Sequence, residues 1–196
     1  MIGDTDYQGP IRDEPLPIEL HNTLYAVHGE HIDGLADTAG LRAWLTALRD
    51  RVPVAPETVD ERRFDELRSL RANVHEALHA AVERRAMSDS ALAHLNELSG
   101  RNPRSPYMTQ REAARASELR HHAPTPTDVL LGVIAASTID LVSGPRAADL
   151  RACGAPGCVL MFLKDHPRRE WCSAACGNRV RQARHYARSR RAPGRA

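Results

Sequence analysis

Aromatic side chains are scarce: two Phe, two Trp and four Tyr make up 4% of the 196 residues. A core with so few large rings has to rest on Leu, Ala, Val and Ile, and the Ala-, Leu- and Arg-rich composition favours helices. Cysteine is sparse too, and none of the four occurs before residue 153. The opening stretch MIGDTDYQGPIRDEP has neither the basic start nor the apolar centre of an export signal. No segment reads as the roughly 18 consecutive apolar residues of a membrane span. A reducing cytoplasm without a membrane partner is the expected setting, and disulfides are disfavoured there. The patterns GxxxxGK[ST], GxGxxG and GxSxG are missing, so nothing in the sequence supports nucleotide binding or serine-hydrolase chemistry. No internal repeat is visible, and acidic residues stop at Glu170.

What the chain does contain is unevenly spread. Hydrophobic residues make up 42% and charged residues 27%, values that suit a globular protein. The net charge of +2 hides an asymmetry. Residues 151–196 hold eleven Lys and Arg against two Asp and Glu, a balance of +9; the first 150 residues hold 16 against 23, a balance of −7. A basic arm on an acidic body is the pattern of a nucleic-acid partner.

The arm carries all four cysteines. Cys153 and Cys158 form C-x4-C, thirteen residues follow, and Cys172 and Cys176 form C-x3-C. Two close pairs joined by a short loop are a zinc-site signature, with each pair gripping the metal from one side. Four thiolates close the coordination sphere, so the expected cofactor is one structural Zn2+ rather than a catalytic ion. Buried free thiols or two disulfides are the alternative, and their confinement to the last quarter of the chain weighs against it. Gly154, Pro156 and Gly157 suit a tight knuckle. The apolar run Val159–Leu163 suits one strand of a small hairpin, Trp171 a cover for the metal, and Ser173 an N-cap.

After the last cysteine come Arg179, Arg181, Arg184, Arg188, Arg190 and Arg191, with His185 and Tyr186 among them. On a helix Arg181, Arg184 and Arg188 share one face. A line of arginines fastened to a zinc knuckle matches the spacing of phosphates and base edges. The candidate DNA contacts are Asn178, Arg179, Arg181, Arg184 and Arg188. A solvated tail, or a zinc module for protein or RNA contacts, is the alternative.

Cys176-Gly177-Asn178-Arg179, with Trp171-Cys172-Ser173 before it and Arg181 after it, resembles the CGNR zinc fingers. Many members space the last two cysteines one residue further apart and carry Lys at the position of Arg181. The resemblance implies a small zinc module that binds double-stranded DNA at the C-terminus of a bacterial transcription regulator. The body resembles the ABATE domain that accompanies these fingers, in Ile18–Leu24, Leu41–Leu45 and Leu67–Ala81. It implies a helical sensory or oligomerising domain, with room for a small-molecule effector. DNA geometry favours a homodimer.

The expected architecture is mainly α: a helical body over residues 1–150 and a zinc module over 151–196, made of a hairpin or knuckle plus a basic helix. Ile18, Leu20, Leu24 and Val27 suggest a short first helix, followed by a loop over 28–38. Thr38 would cap a helix carrying Leu41, Trp44, Leu45 and Leu48. An amphipathic helix is expected from about Glu57 to Met87, with Arg71 at the edge of its apolar stripe and its head in water. A shorter one covers Ser90–Leu98. Residues 107–122 lack a clear pattern and admit strands. An apolar helix from Thr127, stopped at Gly144-Pro145, forms the centre.

His75-Glu76-Ala77-Leu78-His79 matches the HExxH pattern of metal-dependent hydrolases, which makes an enzyme the rival function. The continuation that would add a third histidine is missing: Val82 and Arg85 stand in its place. Glu97 is the nearest downstream candidate for a third ligand. His121-His122 is a loop-like pair with no evident partner in the sequence; His21, His28 and His31 are spread through a helix end and a loop, and a metal or ligand role there is the less favoured reading. The expected answer is no catalysis.

Overall fold

The computed structural model describes residues 7–111 and 114–191. Among the described residues, five helices belong to the body and a sixth follows in the C-terminal module: α1 (Leu16–His21), α2 (Thr38–Ala47), α3 (Phe64–Glu83), α4 (Asp89–Gly100), α5 (Pro126–Ser143) and α6 (Ala174–Arg191). Three separate antiparallel hairpins complete it: β1 (Leu24–Val27) with β2 (Glu30–Asp33), β3 (Arg104–Arg111) with β4 (Ala114–His121), and β5 (Leu150–Ala152) with β6 (Met161–Leu163). The mainly helical architecture with a small C-terminal zinc-binding module is as expected.

Helix α5 is the centre, packed against α4, α3 and α1. Thr125 caps it by accepting the Asp128 N–H at 3.1 Å, and Pro126 enters its first turn. Its length and apolarity would also suffice to cross a membrane, a point that the broken apolar runs of the sequence did not suggest; here 56% of it is buried in the fold. Gly132 permits the close approach of α4, since a Cβ there would lie 2.4 Å from the Asn102 side chain. Leu, Ile and Val side chains dominate the core, with Trp44 the one fully buried large ring of the body.

Several local expectations are corrected. The first helix stops at His21, and Leu24–Val27 is a strand. Residues 30–33, expected in a loop, are its partner strand. His28 and Gly29, at φ 51° and 88°, make the two-residue turn between them. Asp37, not Thr38, caps α2, accepting the Gly40 N–H at 2.8 Å. Two 3-10 turns, Pro56–Thr58 and Glu61–Arg63, precede α3, so it starts seven residues later than expected. Pro56 and the cap residue Asp60 break the helical path that the apolar stripe alone would extend. Arg71 is buried: its guanidinium donates to Asp33 (2.7 Å to Oδ2) and Thr23 (3.1 Å). The carboxylate that draws it inward comes from β2, an element not legible as a strand. The open stretch 107–122 forms most of hairpin β3–β4, in register from Arg104–His121 to Arg111–Ala114.

The C-terminal hairpin stands against the body. Met161 and Leu163 join the body's core, while Leu160 and Phe162 join a second core with Cys153, Cys172, Cys176 and Val180. Alternation along β6 thus serves two cores. Asn22, at the end of α1, bonds both backbone groups of Met161, donating to its carbonyl at 3.0 Å and accepting its N–H at 2.9 Å. Glu14 accepts the Leu163 N–H at 3.0 Å and pairs with Arg169.

Candidate metal centre and basic helix

The knuckle begins where β5 ends. The Cys153 N–H donates to the Leu160 carbonyl (2.9 Å) and the Cys158 N–H to the Ala155 carbonyl (3.0 Å), folding residues 153–160 into a closed loop. Gly157 turns it at φ 70°, a conformation that disfavours a side chain. The second pair arrives on the start of α6. The Ser173 hydroxyl accepts the Cys176 N–H at 3.3 Å, as expected of a cap. Because the helix begins at Ala174, Cys172 stands just before it and Cys176 in its first turn. Trp171 lies against Gly177, whose added Cβ would come within 3.0 Å of the indole, and against Gly154, at 3.5 Å.

These elements bring all four sulfurs within 4.8 Å of one another, with Cys158–Cys172 at 3.7 Å and Cys172–Cys176 at 3.5 Å. A tetrahedron with Zn–S bonds near 2.3 Å has S–S edges of about 3.8 Å. The donor set therefore fits zinc in kind, number and spacing. S–H donation by Cys158, and next by Cys172, holds the Cys153 thiol far below its ordinary value. The same contact with Cys153 pushes Cys158 up to about 11 and Cys172 higher still. A divalent cation that binds all four sulfurs displaces the protons that the thiols carry without it. The metal is one structural zinc held by Cys153, Cys158, Cys172 and Cys176.

Arg179 turns back to this centre. Its guanidinium donates to the Pro156 carbonyl at 3.1 Å and to Cys176 Sγ at 3.2 Å, bridging the two halves of the knuckle. Asn178 Oδ1 accepts from Arg181. Beyond them α6 is exposed, and Arg181, Gln182, Arg184, His185 and Arg188 border one shallow concavity along it. The side chains of Arg190 and Arg191 lie outside the described residues.

The HExxH pattern resolves differently from either half of its reading. His75 and His79 lie on α3 and face His21, at the end of α1, with ring centroids 4.8 Å (His21–His75), 4.3 Å (His75–His79) and 5.6 Å (His21–His79) apart. Burial, and next the charge of His75, pushes His21 down to about 3; burial also lowers His75. Glu76 is turned to a two-pronged pair with Arg85 (2.8 and 3.0 Å) and to the Ser88 N–H (3.3 Å). Glu97 pairs with Arg101. His121 and His122, without evident partners in the sequence, bond Asn102 (3.0 Å) and Ser105 (2.7 Å). His21 is the functional candidate that spacing could not find: it lies more than fifty residues upstream of the motif, and no local pattern ties it to α3.

Two family models match the chain. One, ABATE, described as "Putative stress-induced transcription regulator", matches residues 14–145. The other, the CGNR zinc finger, matches residues 150–189. Neither description is that of an enzyme, and together they fit a zinc-binding regulator that acts on nucleic acid. Among curated proteins none matches the chain significantly.

Proposed function

Because the chain belongs to the ABATE family and ends in a CGNR zinc finger, we propose that it is a cytoplasmic transcription regulator that binds double-stranded DNA through α6. One observation carries the reading: the exposed arginine face of α6 grows directly out of the metal centre, with Cys176 in the helix's first turn. Arg181, Arg184 and Arg188 supply phosphate and base-edge contacts. Asn178 orients Arg181, and Arg179 works from the rim of this set, since it already bonds Pro156 and Cys176. Zinc supplies the cross-link that holds the knuckle to the helix. The module, residues 151–196, has a small core of its own and leans on the body, residues 1–150, through Asn22 and Glu14. The body senses an effector or brings two copies together on the operator. Catalysis is not part of this reading, since Glu76, the general base that a hydrolase on the HExxH pattern needs, is held by Arg85.

The test is Cys176→Ser in the full chain. We expect zinc to be lost, DNA affinity to fall at least about tenfold, and the body to stay folded, because metal binding and finger folding are coupled. Native mass spectrometry reads the zinc, a fluorescent duplex pool the affinity, and circular dichroism the body. Tight DNA binding by the metal-free variant would overturn the reading. Retention of RNA instead of duplex DNA would move the finger to an RNA partner.

A further inference from the structure

We propose that His21, His75 and His79 form a second metal site, in the body, for a divalent transition-metal ion of the zinc, nickel and cobalt class. One ring nitrogen from each lies within 4.8 Å of the other two. Of the three, His21 is 2% exposed. Its Nε2 faces the Val159 carbonyl at 3.4 Å. A proton on Nε2 serves that carbonyl and leaves Nδ1 as a lone pair, and Nδ1 is buried with no protein partner. The Nδ1 of His75 is likewise buried and unpartnered. His79 places its Nδ1 3.5 Å from Glu83, so its other nitrogen is the one available to a metal. Ring nitrogens steadied by a carbonyl and a carboxylate behind them are how metal-binding histidines are oriented. Two orphaned buried nitrogens otherwise carry an uncompensated desolvation cost.

The donor set selects the ion. Three neutral imidazoles, with neither thiolate nor carboxylate among the three, suit borderline divalent metals rather than calcium or magnesium. Three protein ligands leave room for a fourth from solvent or an effector. A cavity of about 310 Å³ reaches His75 and is bordered also by His31, Asp33 and Val159. Val159 follows Cys158 directly, so the carbonyl that orients His21 belongs to the zinc knuckle.

The experiment uses the full chain with zinc in its finger and Co2+ or Ni2+ as the probe, and it needs no DNA. Native mass spectrometry is expected to show a second metal ion per chain. Bound Co2+ should give visible bands without the near-ultraviolet thiolate charge transfer of a cysteine site, and should broaden three histidine proton signals. The affinity should fall at least about tenfold in His75→Gln and in His79→Gln. It should persist in Glu76→Gln, which a hydrolase site would not ignore in its activity but which leaves these ligands intact. If the histidine variants fail to fold, the paramagnetic broadening in the unaltered chain decides alone. A chain that takes up no ion beyond the finger zinc, or a second ion that leaves all three histidine signals sharp, would overturn the proposal.

Discussion

At the residue scale, Arg71 carries the heaviest local load in the body. Its guanidinium is buried between β2 and α1, where it meets both oxygens of Asp33 and the Thr23 hydroxyl. Replacing it with Met keeps the stem's volume and strands Asp33, which is 28% exposed and so partly rehydrates. We expect Arg71→Met to cost about 3 kcal/mol in urea unfolding, the lower end of the range for breaking a buried pair. The pH dependence has a definite sign. Hydrogen bonding to Arg71 holds Asp33 below the usual carboxylate range, and Arg63 does the same for Asp128 and Glu66. Groups depressed in the folded state bind protons less readily than in the unfolded chain. Their stabilisation is complete above the unfolded values of about 3.9–4.3 and is lost as pH falls through the lower folded values. The urea midpoint should therefore fall below about pH 5, less steeply in Arg71→Met, on top of a decline from about pH 6.5 that His21 and His75, both lowered by burial, add in either chain. Residues of this kind were the least legible in the sequence. The four cysteines announce themselves because both pairs are local. Arg71 looked like a stripe-edge residue, and His21 like a stray, because Asp33 and His75 reach them only through the tertiary fold.

At the element scale, the seam between the end of α1 and β6 decides how the finger is held. Asn22 has no exposed surface and satisfies both backbone groups of Met161, a residue of the short hairpin that leads into the knuckle. Asn22→Ala leaves a buried N–H and a buried carbonyl without partners, which costs about 1–3 kcal/mol for each group so exposed to desolvation. We expect faster amide exchange at Met161, a lower unfolding midpoint, and unchanged zinc content, since none of the cysteines is touched. Loss of zinc in Asn22→Ala would mean that the finger cannot hold its metal without the body. Helices α2, α4 and α5 were legible to within a few residues, and α3 except for its start, which the sequence put seven residues too early. The module's hairpin was legible in the run Val159–Leu163, but the two hairpins of the body were not, beyond the admission of strands over 107–122. Leu24–Val27 reads as the end of a helix and Glu30–Asp33 carries a single apolar residue, Ile32, while β3–β4 exposes Met108 and Leu119. Their pairing is set by turns such as His28-Gly29, whose signal is two residues long.

At the scale of the whole molecule, charge separates where packing joins. The body carries −7 and the terminal 46 residues +9, and α6 leaves Arg181, Arg184 and Arg188 exposed beyond Val180, its last described residue in the second core. On the proposed reading, the net charge of the body disfavours DNA and that of α6 attracts it, which gives orientation before any base is read. Salt dependence reports how many phosphates the helix neutralises. Each released contact changes the slope of log affinity against log salt by about 0.9 on duplex DNA. Arg184→Ala combined with Arg188→Ala should therefore flatten the slope by about 1.8 if both arginines meet phosphates, with zinc content unaltered because neither touches the knuckle. Arg85→Ala, which removes an equal kind of charge from α3's far end, should leave the slope where it was. A double variant whose slope matches the unaltered chain would place the DNA on another face, however much its affinity at one salt concentration had dropped.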